Sequence, residues 1–148
     1  MSLAVDVSAD GIRVPLSRER VRDIARLVLR AQGIREALLS VTFVSRPFIA
    51  RLNRRHLGHA GPTDVITFAL GGAPRGAVLG DIYICPDVAR DNARAAAVGM
   101  REELARLVVH GTLHALGHAH PDGDGRAGSA MWALQERLVR RAASRVGW

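Results

Sequence analysis

With 148 residues, 48% of them hydrophobic, the chain is long enough to bury a core without disulfides and too apolar for a disordered tail. The lone Cys85 excludes an internal disulfide, no apolar run approaches the ~20 residues that cross a bilayer, and Met1 to Asp6 lacks a basic segment followed by an apolar stretch; a cytoplasmic protein with no membrane partner is expected. The net charge is +7 and all 21 basic residues are arginine, whose planar forks match phosphate oxygens in pairs, so a polyanionic partner is expected even after a GC-rich coding sequence is credited with part of the arginine bias.

Leu3 to Val7 alternates apolar and polar residues as a first strand, followed by a turn at Asp10-Gly11. Ser17 caps a helix reaching about Gln32, with Val21, Ile24, Ala25, Val28 and Leu29 on one face and Arg18, Arg22, Arg26 and Arg30 opposite, most simply a solvated row and otherwise a phosphate-binding one; Gly33 ends it. Ala37 to Val44 is a short strand, and Ser45 opens a helix from about Pro47 to Leu57, closed by Asn53, Arg54, Arg55 and His56. Val65 to Leu70 and Val78 to Ile84 read as two buried strands, most economically a hairpin, and their Gly71–Gly76 loop carries an arginine that could admit substrate. Helices follow over Pro86 to Ala97, from about Arg101, and over about Gly128 to Val146; the last places Met131, Leu134, Leu138 and Val139 inward and Arg137, Arg140, Arg141 and Arg145 outward. The expected architecture is α+β, a small mixed sheet of about four strands covered by about five helices in a single domain spanning 1–148.

Chemistry concentrates in the run His110-Gly111-Thr112-Leu113-His114-Ala115-Leu116-Gly117-His118-Ala119-His120, which holds four of the six histidines. His110 and His114 are four apart and share one helix face, close enough to grip one ion. A third ligand further along a straight helix would sit ~12–15 Å away, so the chain must turn back, and Gly117 can take the left-handed conformation that allows it. His120 then completes a three-imidazole site with a position open for water, the pattern of catalytic rather than structural zinc; one Zn2+ per chain is expected, and His118 could compete with His120. The plain alternative is histidines decorating a helix end, where positive charge is favoured.

At these residues the chain resembles the YbeY family, whose hallmark runs His-Gly-x-Leu-His-Leu-x-Gly-Tyr-Asp-His; His110, Gly111, Leu113, His114, Gly117 and His120 match it. Leu52-Asn53 with Pro62-Thr63-Asp64-Val65-Ile66-Thr67-Phe68, and Leu79-Gly80-Asp81-Ile82-Tyr83-Ile84-Cys85-Pro86, are similar to two further family segments. Order and spacing agree from about residue 40 to about residue 138. Two departures stand out. His118-Ala119 replaces the hallmark's Tyr-Asp, removing a carboxylate that could orient a ligand, with Asp122 or Asp124 as substitutes. Leu57 stands where the family usually has an arginine, which Arg54 or Arg55 could replace.

The resemblance implies a metal-dependent, single-strand-specific endoribonuclease of ribosomal RNA processing, at the 3′ end of 16S rRNA, and of ribosome quality control. Its implied partners are single-stranded RNA, the small ribosomal subunit, and a ribosomal protein or an assembly GTPase. The ion would be a Lewis acid or would activate water, and the attacking group could be that water or the substrate's 2′-hydroxyl. His114 and Arg55 are the catalytic candidates, Arg55 for charge developing on the phosphate. Unlike a His-Glu-x-x-His peptidase, the helix carries Gly111 after its first histidine and has no built-in general base. Asp64, Asp81 and Thr67 are weaker pocket candidates, with turn and strand-start roles the plainer reading of both carboxylates. The rival readings are a non-catalytic, zinc-stabilised ribosome-assembly or RNA-binding factor and a hydrolase of a small molecule.

Overall fold

The computed structural model describes residues 2–71, 77–118 and 129–148. Along these, β1 (Leu3–Ala9), α1 (Arg18–Ala31), β2 (Ala37–Phe43), α2 (Arg46–Leu57), β3 (Val65–Ala69), β4 (Val78–Ile84), α3 (Pro86–Ala96), α4 (Met100–Ala115) and α5 (Ala130–Arg145) follow in order. The strands form one sheet in the order β1-β2-β4-β3; β1, β2 and β4 run parallel, and β3 returns antiparallel to β4 as the hairpin reading expects. This is the expected four-stranded mixed sheet with five helices.

Alternation decides the two faces. Leu39, Val41, Ile82 and Ile84 are fully buried, and their face packs against α1 and α4, which contribute Ile24, Val28, Leu104 and Val108 to the same core. A smaller cluster on the other face joins Ile49 of α2 to Ile66 and Cys85, flanked by Phe48, Phe68 and Tyr83. The caps are those the serines announce: the Ser17 hydroxyl accepts from the Arg20 N–H at 3.2 Å and the Ser45 hydroxyl from the Phe48 N–H at 3.2 Å.

Two positions behave differently from their expectation. The arginine row on α1 is only partly a solvated face, because Arg22 Nε donates to the Val5 carbonyl at 3.2 Å and Arg26 Nε to the Leu3 carbonyl at 3.0 Å. β1 is an edge strand whose outer carbonyls have no strand to pair with, and the two guanidiniums satisfy them. Asn53 does more than close α2: it is buried, and its Nδ2 donates to the Gly61 carbonyl at 3.0 Å, fixing the loop that leads to Pro62.

α4 is the central helix, and small residues let it approach the sheet. A Cβ on Gly111 would lie 2.7 Å from Ile82 Cγ2, and one on Gly80 would lie 3.0 Å from the Ala115 Cβ. Gly111, read from sequence as the absence of a base, is therefore also the residue that sets the depth of the histidine helix against β4.

Candidate active site

α4 buries Leu104, Leu107, Val108 and Leu113 and presents His110 and His114, both half-buried, on a shared face. Their ring centroids are 4.5 Å apart with planes at 61°, the side-by-side placement that a four-residue spacing gives. Past Ala115 the helix stops as the sequence predicts. Gly117 adopts φ 95°, its N–H donates to the His114 carbonyl at 2.9 Å, and the His118 N–H reaches back to the Leu113 carbonyl at 3.0 Å. His118 Nε2 lies 2.9 Å from the Gln32 Oε1 on α1. His120 lies outside the described residues, as do Ala119, Asp122, Asp124 and positions 72–76 of the β3–β4 loop. Among the described residues no group of three or more histidines, cysteines or carboxylates is arranged so that it could hold a metal ion.

Behind the pair runs a polar chain that sequence reading missed. His110 Nδ1 lies 2.6 Å from the Gln135 Oε1, and Gln135, 2% exposed on α5, donates from Nε2 to the Glu136 Oε2 at 3.2 Å. The second contact settles the amide's orientation, since a carboxylate needs the NH2 group facing it. Oε1 therefore faces the imidazole, and Nδ1 is the ring nitrogen that donates to it. Arg106 completes the chain, giving Glu136 two hydrogen bonds of 2.9 and 3.0 Å, Glu103 one of 3.1 Å and Glu102 one of 3.1 Å. A signal for Gln135 did exist, because it falls within the apolar stripe of α5 between Met131 and Leu138, where an uncharged polar residue has a partner inside.

These groups perturb one another. Burial alone would lower the Arg106 guanidinium, but hydrogen bonds and charge from Glu136, joined by Glu102 and Glu103, hold it above its ordinary value. For Glu136, burial would raise the carboxyl, yet the bonds from Arg106 and Gln135 leave it below the usual glutamate value. Burial prevails at Glu103, whose carboxyl is raised despite its bond to Arg106.

Beside His110 opens a cleft of about 400 Å³ lined by Asp64, Glu103, Arg106, Trp132 and Glu136 among others. Its lining is more acidic than basic. Asp64 reaches the cleft edge while also serving structure: its Oδ2 accepts from Asn92 Nδ2 at 2.9 Å and its carbonyl from the Cys85 N–H at 2.9 Å. Thr67 lies under the histidine turn, its hydroxyl 3.3 Å from where a Gly111 Cβ would stand. Asp81 alternates with Gly80 and Ile82 and so points to the sheet face away from α4, where its carboxylate accepts from the Ser40 hydroxyl at 2.7 Å. Asp81 is thus turned from the histidine helix, and Arg55 is exposed near the end of α2.

A histidine whose Nδ1 is committed to an amide oxygen, one turn from a second imidazole, fits a borderline divalent cation. The model of the family described as Endoribonuclease YbeY matches residues 7–143. Three curated relatives, each called Endoribonuclease YbeY, cover most of both chains. That of Mycolicibacterium paratuberculosis is 34% identical over 93% of this chain and 82% of its own. That of Acidothermus cellulolyticus is 37% identical over 90% and 92%. The Thermobifida fusca protein is 36% identical over 99% and 94%. Among solved structures, the solution structure of TM1509 from Thermotoga maritima superimposes with a TM-score of 0.65 at 27% identity, covering 95% of this chain and 89% of that one. Sharing its sequence with these relatives along nearly its whole length and its fold with the Thermotoga protein, the chain belongs to the YbeY family of endoribonucleases.

Proposed function

We propose that the chain is a metal-dependent, single-strand-specific endoribonuclease of ribosomal RNA processing, acting on the 3′ end of 16S rRNA and in ribosome quality control in the cytoplasm. Its one zinc ion would be held by His110, His114 and His120. The observation that carries the reading is the His110–His114 pair one helical turn apart, with His110 Nδ1 held at 2.6 Å by the Gln135 Oε1. When bound, the ion supplies Lewis acidity toward a phosphoryl oxygen. The chain's own groups do the rest: Gln135 aims His110, Gly111 seats the helix, and Arg55 at the exposed end of α2 is the cation assigned to the phosphate's developing charge. The small ribosomal subunit, a ribosomal protein and an assembly GTPase are the partners this role implies.

The rival reading, an RNA-binding assembly factor that uses zinc only to hold its fold, is favoured by one observation. Leu57 is 49% exposed at the position where the family usually carries an arginine. A labelled single-stranded RNA, a chelator and the His114→Ala variant separate the two. Metal-dependent cleavage lost in His114→Ala supports the nuclease, binding without cleavage supports the assembly factor, and cleavage that survives both arms discards the site.

A further inference from the structure

The cleft beside His110 holds three carboxylates, Asp64, Glu103 and Glu136, against the single guanidinium of Arg106, which is itself fully engaged. A surface of that sign repels a polyphosphate, so the positive excess of the chain must act elsewhere. Five of the arginines line two adjoining grooves at the ends of α1 and α5. One groove is lined by Arg26, Arg30 and Arg35 with no carboxylate, together with Ser2, Leu3 and Ile34. A second is lined by Arg30, Arg141 and Arg145 with Asp23 as its only acid. Arg30 belongs to both, which makes them one continuous track of five guanidiniums.

We propose that this track, Arg26, Arg30, Arg35, Arg141 and Arg145, is a docking site for the phosphodiester backbone of single-stranded RNA, separate from the histidine site and feeding it. Four of these side chains are exposed, and no ion pair ties up any of the five among the described residues. Arg26 spends only its Nε on the Leu3 carbonyl, leaving its terminal nitrogens for a phosphate. By contrast, Arg46 and Arg90 are paired with Asp87, and Arg106 with its glutamates. The track also has a route to the histidines, because Arg30 lies two residues before Gln32, the residue that holds His118. An extended polyanion with regularly spaced charges suits a row of planar donors running across two helices. The inference rests on the RNA-cleaving reading for its substrate, but docking can be measured without any cleavage.

The test compares Arg30→Gln/Arg141→Gln/Arg145→Gln with a charge-matched control, Arg13→Gln/Arg18→Gln/Arg20→Gln, whose residues are exposed elsewhere. Binding of a long single-stranded RNA is followed by anisotropy under chelation across a salt series. For the track variant the slope of log affinity against log salt should flatten by about 2, three lost contacts at ~0.7 each, with weaker binding at low salt, while the control stays near the parent. In metal-loaded enzyme, kcat/KM should fall for the long RNA and stay unchanged for an oligonucleotide too short to span both sites. Equal losses in the two variants would mean net charge alone and overturn the track. So would a track variant that binds long RNA like the parent but no longer binds poly-glutamate, which would mark an acidic protein as the occupant. A flattened slope in a protein that cleaves nothing would uphold the track and reject only the nuclease reading.

Discussion

Gln135 is the side chain through which the rest of the molecule controls His110. With its NH2 held by Glu136, its oxygen can only accept from Nδ1, so replacing it by alanine frees the imidazole to change tautomer and to rotate. Gln135→Ala is expected to weaken zinc affinity by roughly 10–100-fold, the usual effect of losing a residue that orients a ligand, and Gln135→Glu to restore most of it. Competition with a chromogenic chelator reads the affinity, and nitrogen chemical shifts of His110 read the tautomer; a Gln135→Ala protein with the parent's affinity and tautomer would refute the role. Gly111 makes an independent prediction. Its missing Cβ would meet Ile82 Cγ2 at 2.7 Å, so Gly111→Ala must lift α4 or displace Ile82, an overpacking worth about 1–3 kcal/mol and visible as a lower urea midpoint. An unchanged midpoint would show that the helix has room the contact denies. The His110–His114 pair and the bend at Gly117 were legible because spacing and glycine chemistry are local; Gln135 and Arg106 were not, because their contact joins residues far apart in the chain.

Elements were read well wherever a cap or a period announces them. Ser17, Ser45, Gly33 and Gly117 bracket their helices where the structure puts the boundaries, and β4 spans Val78–Ile84 as expected. What escaped was which side each strand shows to the histidines, since a period of two gives alternation but not the identity of the faces; for Asp81 that left the strand role and the weaker pocket role unseparated, and its bond from Ser40 agrees with the strand role. The contact between α4 and α5 carries a pH dependence with two signs. Glu136 sits below its ordinary value, so its contribution to stability is present above about pH 4.3 and is lost as pH falls through its folded value. Glu103 is raised, so its contribution is complete below about pH 4.3 and is lost as pH rises through its folded value. Glu136→Gln should therefore be destabilising at neutral pH with the deficit closing in acid. Glu103→Gln should gain on the parent as pH rises, its amide oxygen still accepting from Arg106. Urea midpoints of both variants across the acid range check the pair; parallel profiles would mean that neither carboxyl is perturbed as its surroundings require.

At the scale of the whole molecule, charge is divided between an acidic cleft beside the histidines and an arginine track at the far ends of α1 and α5. A cation at the histidines would ease the first, and a polyanion on the track would ease the second, so each ligand should stabilise a different part of the fold. The metal's share can be isolated. His110 and His114 lie on the central helix, while His120 follows the Gly117 turn, so an ion held by all three ties α4 to the chain beyond it, a link the unfolded chain lacks. Binding that favours the native state by this route adds about 2.7 kcal/mol when free zinc is 100 times its dissociation constant. In a chain of this size that corresponds to a rise of roughly 5–10 °C in Tm. Calorimetry of chelator-stripped protein with and without added zinc should show it, with His114→Ala failing to respond. If stripped and zinc-loaded protein melt together while His114→Ala also matches the parent, the histidines do not bind a metal and the cleavage chemistry assigned to them has no basis.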